Sequence, residues 1–164
     1  MKNRSLFMKR MMALTTALMI LLASSFTRVE AAPTPDLTPQ QIETVIEDAF
    51  AGLVTFDVPR VTNHFAADAV LEDPVGTPPM VGKEAIAAYL ASFPTLFNQM
   101  KLYSLDIKVG GQEAAVKWRL RFTTKTGKVF FLEGIGFFKF NQDGKIQTEK
   151  EFFDLAYFLE QLQD

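Results

Sequence analysis

Residues 65–76 read FAADAVLEDPVG, and this stretch decides the fold more than any other part of the chain. Residues 69–73 form a short strand, which Pro74 ends because proline cannot donate a backbone hydrogen bond to a sheet. The strand therefore finishes on an acidic residue, Asp73. Gly82 then precedes a run with helical spacing. The stretch predicts a strand, an acidic strand end, a turn and a helix in succession.

Helices are predicted on both sides of this stretch. Upstream, Thr38 is a suitable N-cap, Pro39 suits the first helical position, and Gln41 completes a capping box. Asp57 caps a second, shorter helix, and a third follows Gly82. Apolar residues recur at helical spacing in the first helix (Ile42, Val45, Ile46, Ala49, Phe50 and Leu53) and in the third (Ile86, Tyr89, Leu90 and Phe93).

Beyond residue 100 the apolar period changes to the two-residue period of strands. Strands are predicted at residues 103–109, 116–122, 129–140 and 145–154, with turns at Gly110–Gly111, Thr126–Gly127 and Asp143–Gly144, and a last helix at 155–162. In the first of these strands Tyr103 is expected on the same face as Leu105. Because helices precede an antiparallel meander, we predict an α+β fold with helices packed on one face of a strongly curved, mainly antiparallel sheet.

The first 31 residues have the layout of a secretory signal peptide. A basic start precedes the apolar run Met11–Leu22, and small residues around Ala31 suit a signal peptidase. The run is short for a spanning helix, which needs about 20 residues. We therefore expect a signal peptide at residues 1–31, a linker at 32–37 and one domain at 38–164. The mature protein would be secreted or periplasmic, with no stable membrane anchor after cleavage.

Composition excludes several classes of function. Loss of five basic residues and one acidic residue with the signal peptide would change the formal net charge from −2 to −6. An acidic domain argues against nucleic acid as a partner. The chain has no cysteine and one histidine, His64, so neither a disulfide framework nor a zinc site is expected. Sixteen phenylalanines indicate an aromatic core, an aromatic cavity or both.

Two stretches carry a family resemblance. One is residues 65–76, and the other is residues 135–141, IGFFKFN, which DGKI follows at residues 143–146. In both, the chain resembles the ketosteroid isomerase-like and SnoaL-like family of the nuclear-transport-factor-2-like superfamily. The resemblance implies a cone-shaped domain, a cystatin-like α+β barrel, whose internal pocket takes an apolar small molecule. Isomerases of this family pair through their sheets, so it also implies a homodimer.

The resemblance assigns roles to particular residues. The family's general base falls on Asp73, although an aspartate before proline is also a common turn residue. The oxyanion-stabilising tyrosine and protonated aspartate of the isomerases fall on Ala49, or on Phe50 after a one-residue slip, and on Gly136. Both donors are therefore absent. The pocket is expected to include Ala49, Phe50, Phe65, Leu71, Leu132, Gly136, Phe138 and Phe153.

The last strand offers a second comparison. Residues 144–155 resemble limonene-epoxide hydrolases, which use two carboxylates bridged by an arginine. Their final-strand carboxylate falls on Glu151, and their arginine and second aspartate fall near Lys117 and Arg119. Their water-holding tyrosine and asparagine fall on Leu71 and Asp73. The catalytic candidates are accordingly Asp73, Glu151 and Arg119, the last as a possible substitute for the missing oxyanion donors.

The strand at residues 116–122 has two possible orientations. The family register would turn Lys117, Arg119 and Arg121 into the cavity, and would leave an apolar row on the opposite face as a dimer interface. That row comprises Val116, Trp118, Leu120 and Phe122. Burial alone favours the reverse, with the row in the core, because unpaired buried charge is costly. We base the homodimer prediction on the first orientation and keep both open.

Three functions are compatible with these residues. The first is an isomerase-type enzyme, similar to steroid delta-isomerases, that uses Asp73 as general base on an apolar carbonyl compound. The second is a non-catalytic domain for hydrophobic-ligand binding or dimerisation. The third is a hydrolase similar to limonene-epoxide hydrolases. None of them requires a cofactor or a metal.

The signal peptide gives a direct test. We expect the protein isolated from the producing cell to begin at Ala32 or within a few residues of it. Intact-mass measurement checks this, and a mass that retains Met1 would contradict it.

Overall fold

The computed structural model describes residues 36–163, so the predicted signal peptide lies outside the described residues. The first helix, α1, spans Pro39–Val54. Its capping box is confirmed: the Gln41 N–H donates to Thr38 Oγ1 at 3.3 Å, and the Thr38 N–H donates to Gln41 Oε1 at 2.9 Å. Asp57 caps α2, Val58–Thr62, as predicted. None of the helices in the described part is long and apolar enough to cross a bilayer.

Within residues 36–163 six strands form one sheet in the order β2-β1-β6-β5-β4-β3. The strands are β1 Phe65–Glu72, β2 Met80–Val81, β3 Phe97–Gly110, β4 Glu113–Thr124, β5 Val129–Phe140 and β6 Ile146–Phe152. The further helices are α3 Lys83–Leu90, α4 Phe93–Leu96 and α5 Leu155–Leu162. Only β1 and β6 pair in parallel. The sheet curves without closing, which confirms the predicted α+β fold.

The orientation of β4 corrects the family register. Val116, Trp118, Leu120 and Phe122 are buried on the inner face. Arg119 is on the outer face, with 47% of its side chain exposed and its Nε 3.2 Å from Glu133 Oε1. The orientation that burial favoured is therefore the right one, because it keeps charged groups in water. The apolar row is not an exposed patch, so the homodimer remains a prediction without the observation that motivated it.

A bulge in β3 corrects a second expectation. The pairing of β3 with β4 shifts between Leu102 and Ser104, so Tyr103 does not share a face with Leu105. Tyr103 is 59% exposed, and its ring centroid lies 5.6 Å from that of Phe131 on the outer side. A bulge inserts one residue and reverses the alternation beyond it.

The core contains an aromatic cluster around Phe97, which is 1% exposed. Its ring lies 4.7 Å from Phe122 and 6.3 Å from Phe158, centroid to centroid. Phe158 belongs to α5, all of whose residues are half-buried or exposed, and Leu162 of the same helix also packs against the core. The terminal helix is thus joined to the core through half-buried side chains, with Phe158 in the aromatic cluster.

Neighbouring residues on β4 test its orientation. Leu120→Ala should lower the free energy of unfolding by about 2 kcal/mol, since it removes buried apolar atoms beside existing empty space. Arg119→Ala should change it by less than about 0.5 kcal/mol, because exposed ion pairs contribute little. Urea denaturation measures both. A larger loss in the arginine variant would mean that the strand is turned the other way.

Candidate functional site

A cavity lies between the helices and the inner face of the sheet. It contains about 810 Å³ of empty space, counted together with the solvent at its mouth. Its walls are mostly apolar: Ala49, Phe50, Leu53, Val61, Phe65, Leu71, Leu90, Phe93, Phe97, Met100, Leu120, Phe122, Leu132, Phe138, Phe153 and Phe158. Five lining residues carry polar groups: Asp73, Tyr89, Trp118, Glu149 and Glu151.

Asp73 reaches this cavity from the end of β1, immediately before its cis peptide bond to Pro74. The Tyr89 hydroxyl, on α3, donates a hydrogen bond to Asp73 Oδ2 at 3.0 Å. Burial raises the pKa of Asp73 to about 6, although the hydrogen bond from Tyr89 acts in the opposite direction. Asp73 is therefore a carboxylate at neutral pH and a usable base.

Two more carboxyl groups reach the cavity from β6. Glu149 and Glu151 are two residues apart and share the inner face. Burial, reinforced by the charge of Asp73, raises the pKa of Glu149 to about 8. Burial and the neighbouring Glu149 and Asp73 carboxyls hold the pKa of Glu151 well above its usual range. No described cation lies among the causes of these shifts, so protonation is what relieves the burial of charge.

Glu151 is held on one side only. The Trp118 indole Nε1–H donates to Glu151 Oε2 at 2.6 Å. Glu151 is 5% exposed, and within the described residues its Oε1 has no hydrogen-bond partner. A buried polar atom without a partner is costly. The Glu149 carboxyl group also lies within hydrogen-bonding reach of the Glu151 carboxyl group, so a neutral Glu151 can donate to Glu149 or, in its place, to an acceptor of another molecule.

Most of the predicted site residues do line the cavity. They are Asp73, Glu151, Ala49, Phe50, Phe65, Leu71, Leu132, Phe138 and Phe153. Gly136 is buried on the inner face of β5, but the Glu151 carboxyl group covers it. Arg119 is excluded because it lies on the outer face of β4, with its guanidinium carbon 4.6 Å from the centre of the Phe131 ring. The arginine-bridged arrangement of the hydrolases is therefore not assembled here.

Sequence reasoning missed two polar residues of the site, Tyr89 and Trp118. Tyr89 has only its place on the apolar face of a helix to mark it, and such a position is typical of core residues. Trp118 was interpreted as a core or interface residue. Glu149 shares the alternation of Glu151, and the family register turns both residues toward the cavity, which both of them line. The hydrogen bond of Tyr89 to Asp73 joins residues 16 apart in the sequence, and that of Trp118 to Glu151 joins residues 33 apart. No local sequence pattern reveals such contacts.

Together these groups can perform acid–base chemistry. Near pH 7 the cavity presents one carboxylate, Asp73, beside two carboxylic acids, Glu149 and Glu151. Carboxyl groups whose pKa values are driven apart in this way can divide the roles of base and acid. No group of three or more His, Cys, Asp or Glu side chains in residues 36–163 has an arrangement suited to a metal ion.

The fold agrees with what the chain is similar to. The family model for the SnoaL-like domain matches residues 46–149, so the chain belongs to the SnoaL-like domain family. A candidate polyketide cyclase from Xanthomonas campestris pv. campestris superimposes with a TM-score of 0.69 at 17% identity, covering 76% of this chain and 98% of the other. An NTF2-like protein of unknown function from Burkholderia pseudomallei gives 0.68 at 20%, with 76% and 98% covered.

A third structure, TerC co-crystallised with polyporic acid, gives a TM-score of 0.68 at 21% identity, with 76% of this chain and 99% of the other covered. At these identities the likeness to solved structures establishes a shared fold. The family thus defines a SnoaL-like domain with a small-molecule pocket, and the chemistry must be argued from the residues of this chain.

The buried carboxyl groups predict how stability depends on pH. Asp73 and Glu149 have raised pKa values in the folded state, so their burial costs nothing below about pH 4 and progressively more as pH rises through about 6 and 8. The free energy of unfolding should therefore fall between pH 5 and pH 8. The hydrogen bond from Arg60 is the chief reason why the pKa of Asp48 is lowered to about 2. The stability that Asp48 contributes is therefore lost only as the pH falls below about 4, outside the range from pH 5 to pH 8.

Glu149→Gln should reduce the fall in the free energy of unfolding between pH 5 and pH 8 by about 2–4 kcal/mol, because one pKa unit corresponds to about 1.4 kcal/mol. Urea denaturation at several pH values measures it. Glu133→Gln, on the outer face, is the matched control and should leave the slope unchanged. Equal slopes in the wild type and Glu149→Gln would show that Glu149 is not buried without a partner.

Proposed function

We propose that this domain moves protons at the carbon beside a carbonyl group of an apolar small molecule, in an isomerisation or a cyclisation. The observation that carries the proposal is Asp73, a partly buried carboxylate with a pKa of about 6 that faces an apolar cavity. A base in such a place gains strength from the loss of water and keeps its ionised form at neutral pH.

The steps follow from the groups present. Asp73 accepts the proton as the C–H bond breaks, and the electron pair moves onto the carbonyl oxygen. A neutral carboxyl group of the Glu149–Glu151 pair stabilises that oxygen by a hydrogen bond. In an isomerisation Asp73 returns the proton to another carbon. In a cyclisation the enolate carbon forms a bond with a second carbonyl carbon, whose oxygen takes the proton.

Apolar walls suit a substrate with few polar groups, and Phe50 and Phe138, with ring centroids 6.4 Å apart, offer aromatic faces. The cyclisation branch is supported by the candidate polyketide cyclases among the structural neighbours, since an aldol-type ring closure begins with the same proton removal. We also propose that the mature domain acts outside the cytoplasm, on the strength of the signal-like residues 1–31.

Asp73→Asn tests the proposal because it keeps the shape of the side chain and removes the base. We expect deuterium uptake at the α-carbon of apolar β,γ-unsaturated ketones, from one to four rings, in D₂O followed by NMR. The variant should reduce this uptake by about 100-fold or more and change ligand affinity by less than about threefold. The wild-type rate should rise with pH through about 6, as Asp73 ionises, and fall near 8, as Glu149 loses its proton.

Asp68→Asn, on the exposed side of the same strand, is the matched control and should exchange like the wild type. Wild-type exchange in Asp73→Asn would overturn the role of Asp73. Tight binding of the ketones by the wild type without any exchange would favour the alternative, a non-catalytic domain that binds hydrophobic ligands.

A further inference from the structure

The cavity lacks the two oxyanion donors that the resemblance locates at Ala49 and Gly136, yet one of its buried oxygens has no partner. That oxygen is Glu151 Oε1. Oxyanion donors are thus missing at two positions, while a carboxyl oxygen at a third position has no donor bound to it within the described residues. This combination indicates that a different strand of the sheet supplies the hydrogen bond to the oxyanion.

The surroundings of Gly136 show which strand supplies this hydrogen bond. β5 and β6 pair so that Gly136 lies opposite Glu151. A Cβ atom on Gly136 would lie 2.6 Å from Glu151 Oε1 and 2.7 Å from Phe138 Cε2, which is closer than real Cβ atoms come. The Glu151 carboxyl group therefore occupies the space in which a side chain at position 136 would begin. A carboxyl group reaches this space from the neighbouring strand, and it can do so only because residue 136 has no side chain.

Trp118 determines which oxygen of Glu151 carries the proton. An indole N–H is a donor only, so the oxygen that it binds, Oε2, must act as an acceptor. Because the carbonyl oxygen of a neutral carboxyl group is the better acceptor, the proton of neutral Glu151 is on Oε1, to which no N–H or O–H group of the described residues donates. The indole thus directs a carboxylic O–H to the polar end of the cavity, where a substrate oxygen would replace the Glu149 carboxyl group as its acceptor.

We propose that this O–H of Glu151 donates a hydrogen bond to the carbonyl oxygen of the substrate and then to the enolate oxygen. Trp118 is the positioning residue, and glycine at position 136 leaves the space that the Glu151 carboxyl group occupies. The proposal rests on the proposed function and adds the polar group that the ligand must present, a hydrogen-bond acceptor. No proton needs to leave Glu151, because a stronger hydrogen bond to the enolate is sufficient.

The other charged groups around Glu151 favour this role. Asp73 and Glu149 are the ionisable groups that act on it, and both are acidic. Negative charge on either one increases the proton affinity of Glu151, so it remains a donor while Asp73 works as the base. The nearest lysine in sequence, Lys150, lies on the other face of β6 with its Nζ 2.7 Å from Glu72 Oε1. An apolar ketone therefore fits this site.

Two isosteric probes test the hydrogen bond without any turnover. The first is 2-acetylnaphthalene labelled with ¹³C at its carbonyl, and the second is 2-isopropenylnaphthalene, in which a CH₂ group replaces the oxygen. Wild-type protein should bind the ketone about 10-fold more tightly than the olefin, as expected for one buried hydrogen bond. The infrared carbonyl stretch of the bound ketone should lie at lower frequency than in hexane.

Substitutions should separate the two probes. Glu151→Ala should remove the preference for the ketone and keep the olefin bound. Glu151→Gln, with a weaker amide donor, should move the carbonyl stretch part of the way back. Trp118→Phe should broaden that band, because the proton is then free to lie on either oxygen. Gly136→Ala should weaken ketone binding more than olefin binding, since the new Cβ displaces the carboxyl group. Glu133→Gln, on the outer face, should match the wild type.

An unchanged ketone preference and an unchanged carbonyl stretch in Glu151→Ala would overturn the proposal. Should that variant fail to fold, an unchanged stretch in Glu151→Gln would do so. The two proposals fail separately. Loss of α-proton exchange in Asp73→Asn with a normal carbonyl stretch in Glu151→Gln would support the base and refute the donor, and the opposite pair of results would support the donor and refute the base.

Discussion

The structure depends on one costly arrangement, the burial of three carboxyl groups at the end of an apolar cavity with no described cation beside them. Three ionised carboxylates could not be held there, because the loss of water alone would cost several kcal/mol for each unpaired charge. The fold tolerates them by keeping Glu149 and Glu151 protonated and by giving Asp73 one hydrogen bond from Tyr89. The same features that limit the cost make one group a base and the other two acids.

The parallel pairing of β1 with β6 brings these groups together. Glu72 lies opposite Lys150 in that pairing, and the Val75 N–H donates to the Glu151 carbonyl oxygen at 2.8 Å. The end of β1, with Asp73, is thereby fixed beside the inner face of β6. Alternation then separates the charges of β6, since Glu149 and Glu151 face the cavity and Lys150 faces outward. The polar end of the cavity thus follows from strand register, and the helices supply its apolar walls and Tyr89.

Local sequence patterns predict much of this architecture. The capping box at Thr38, the strand at residues 129–140 and the helix at residues 155–162 are confirmed. Asp73 and Glu151 were identified through the resemblance, and their shared cavity agrees with it. Arg119 was assigned wrongly because the family register reverses β4, whereas the rule that charges stay in water gave the right face. The bulge at Tyr103 depends on the pairing of two strands and has no local signal.

The proposed carbonyl chemistry needs an O–H group at a particular point of the cavity, and the sheet allows more than one strand to supply it. Adjacent strands place opposite residues within a side chain's length of the same point. In this chain Gly136 and Glu151 are such a pair, and they constrain each other. An aspartate at position 136 would place its Cβ against the carboxyl group already there, and glycine beside a smaller residue at 151 would leave the point empty. A side chain at position 136 therefore requires a smaller residue at position 151, and in the proposed chemistry Glu151 takes the place of the aspartate that the resemblance locates at Gly136.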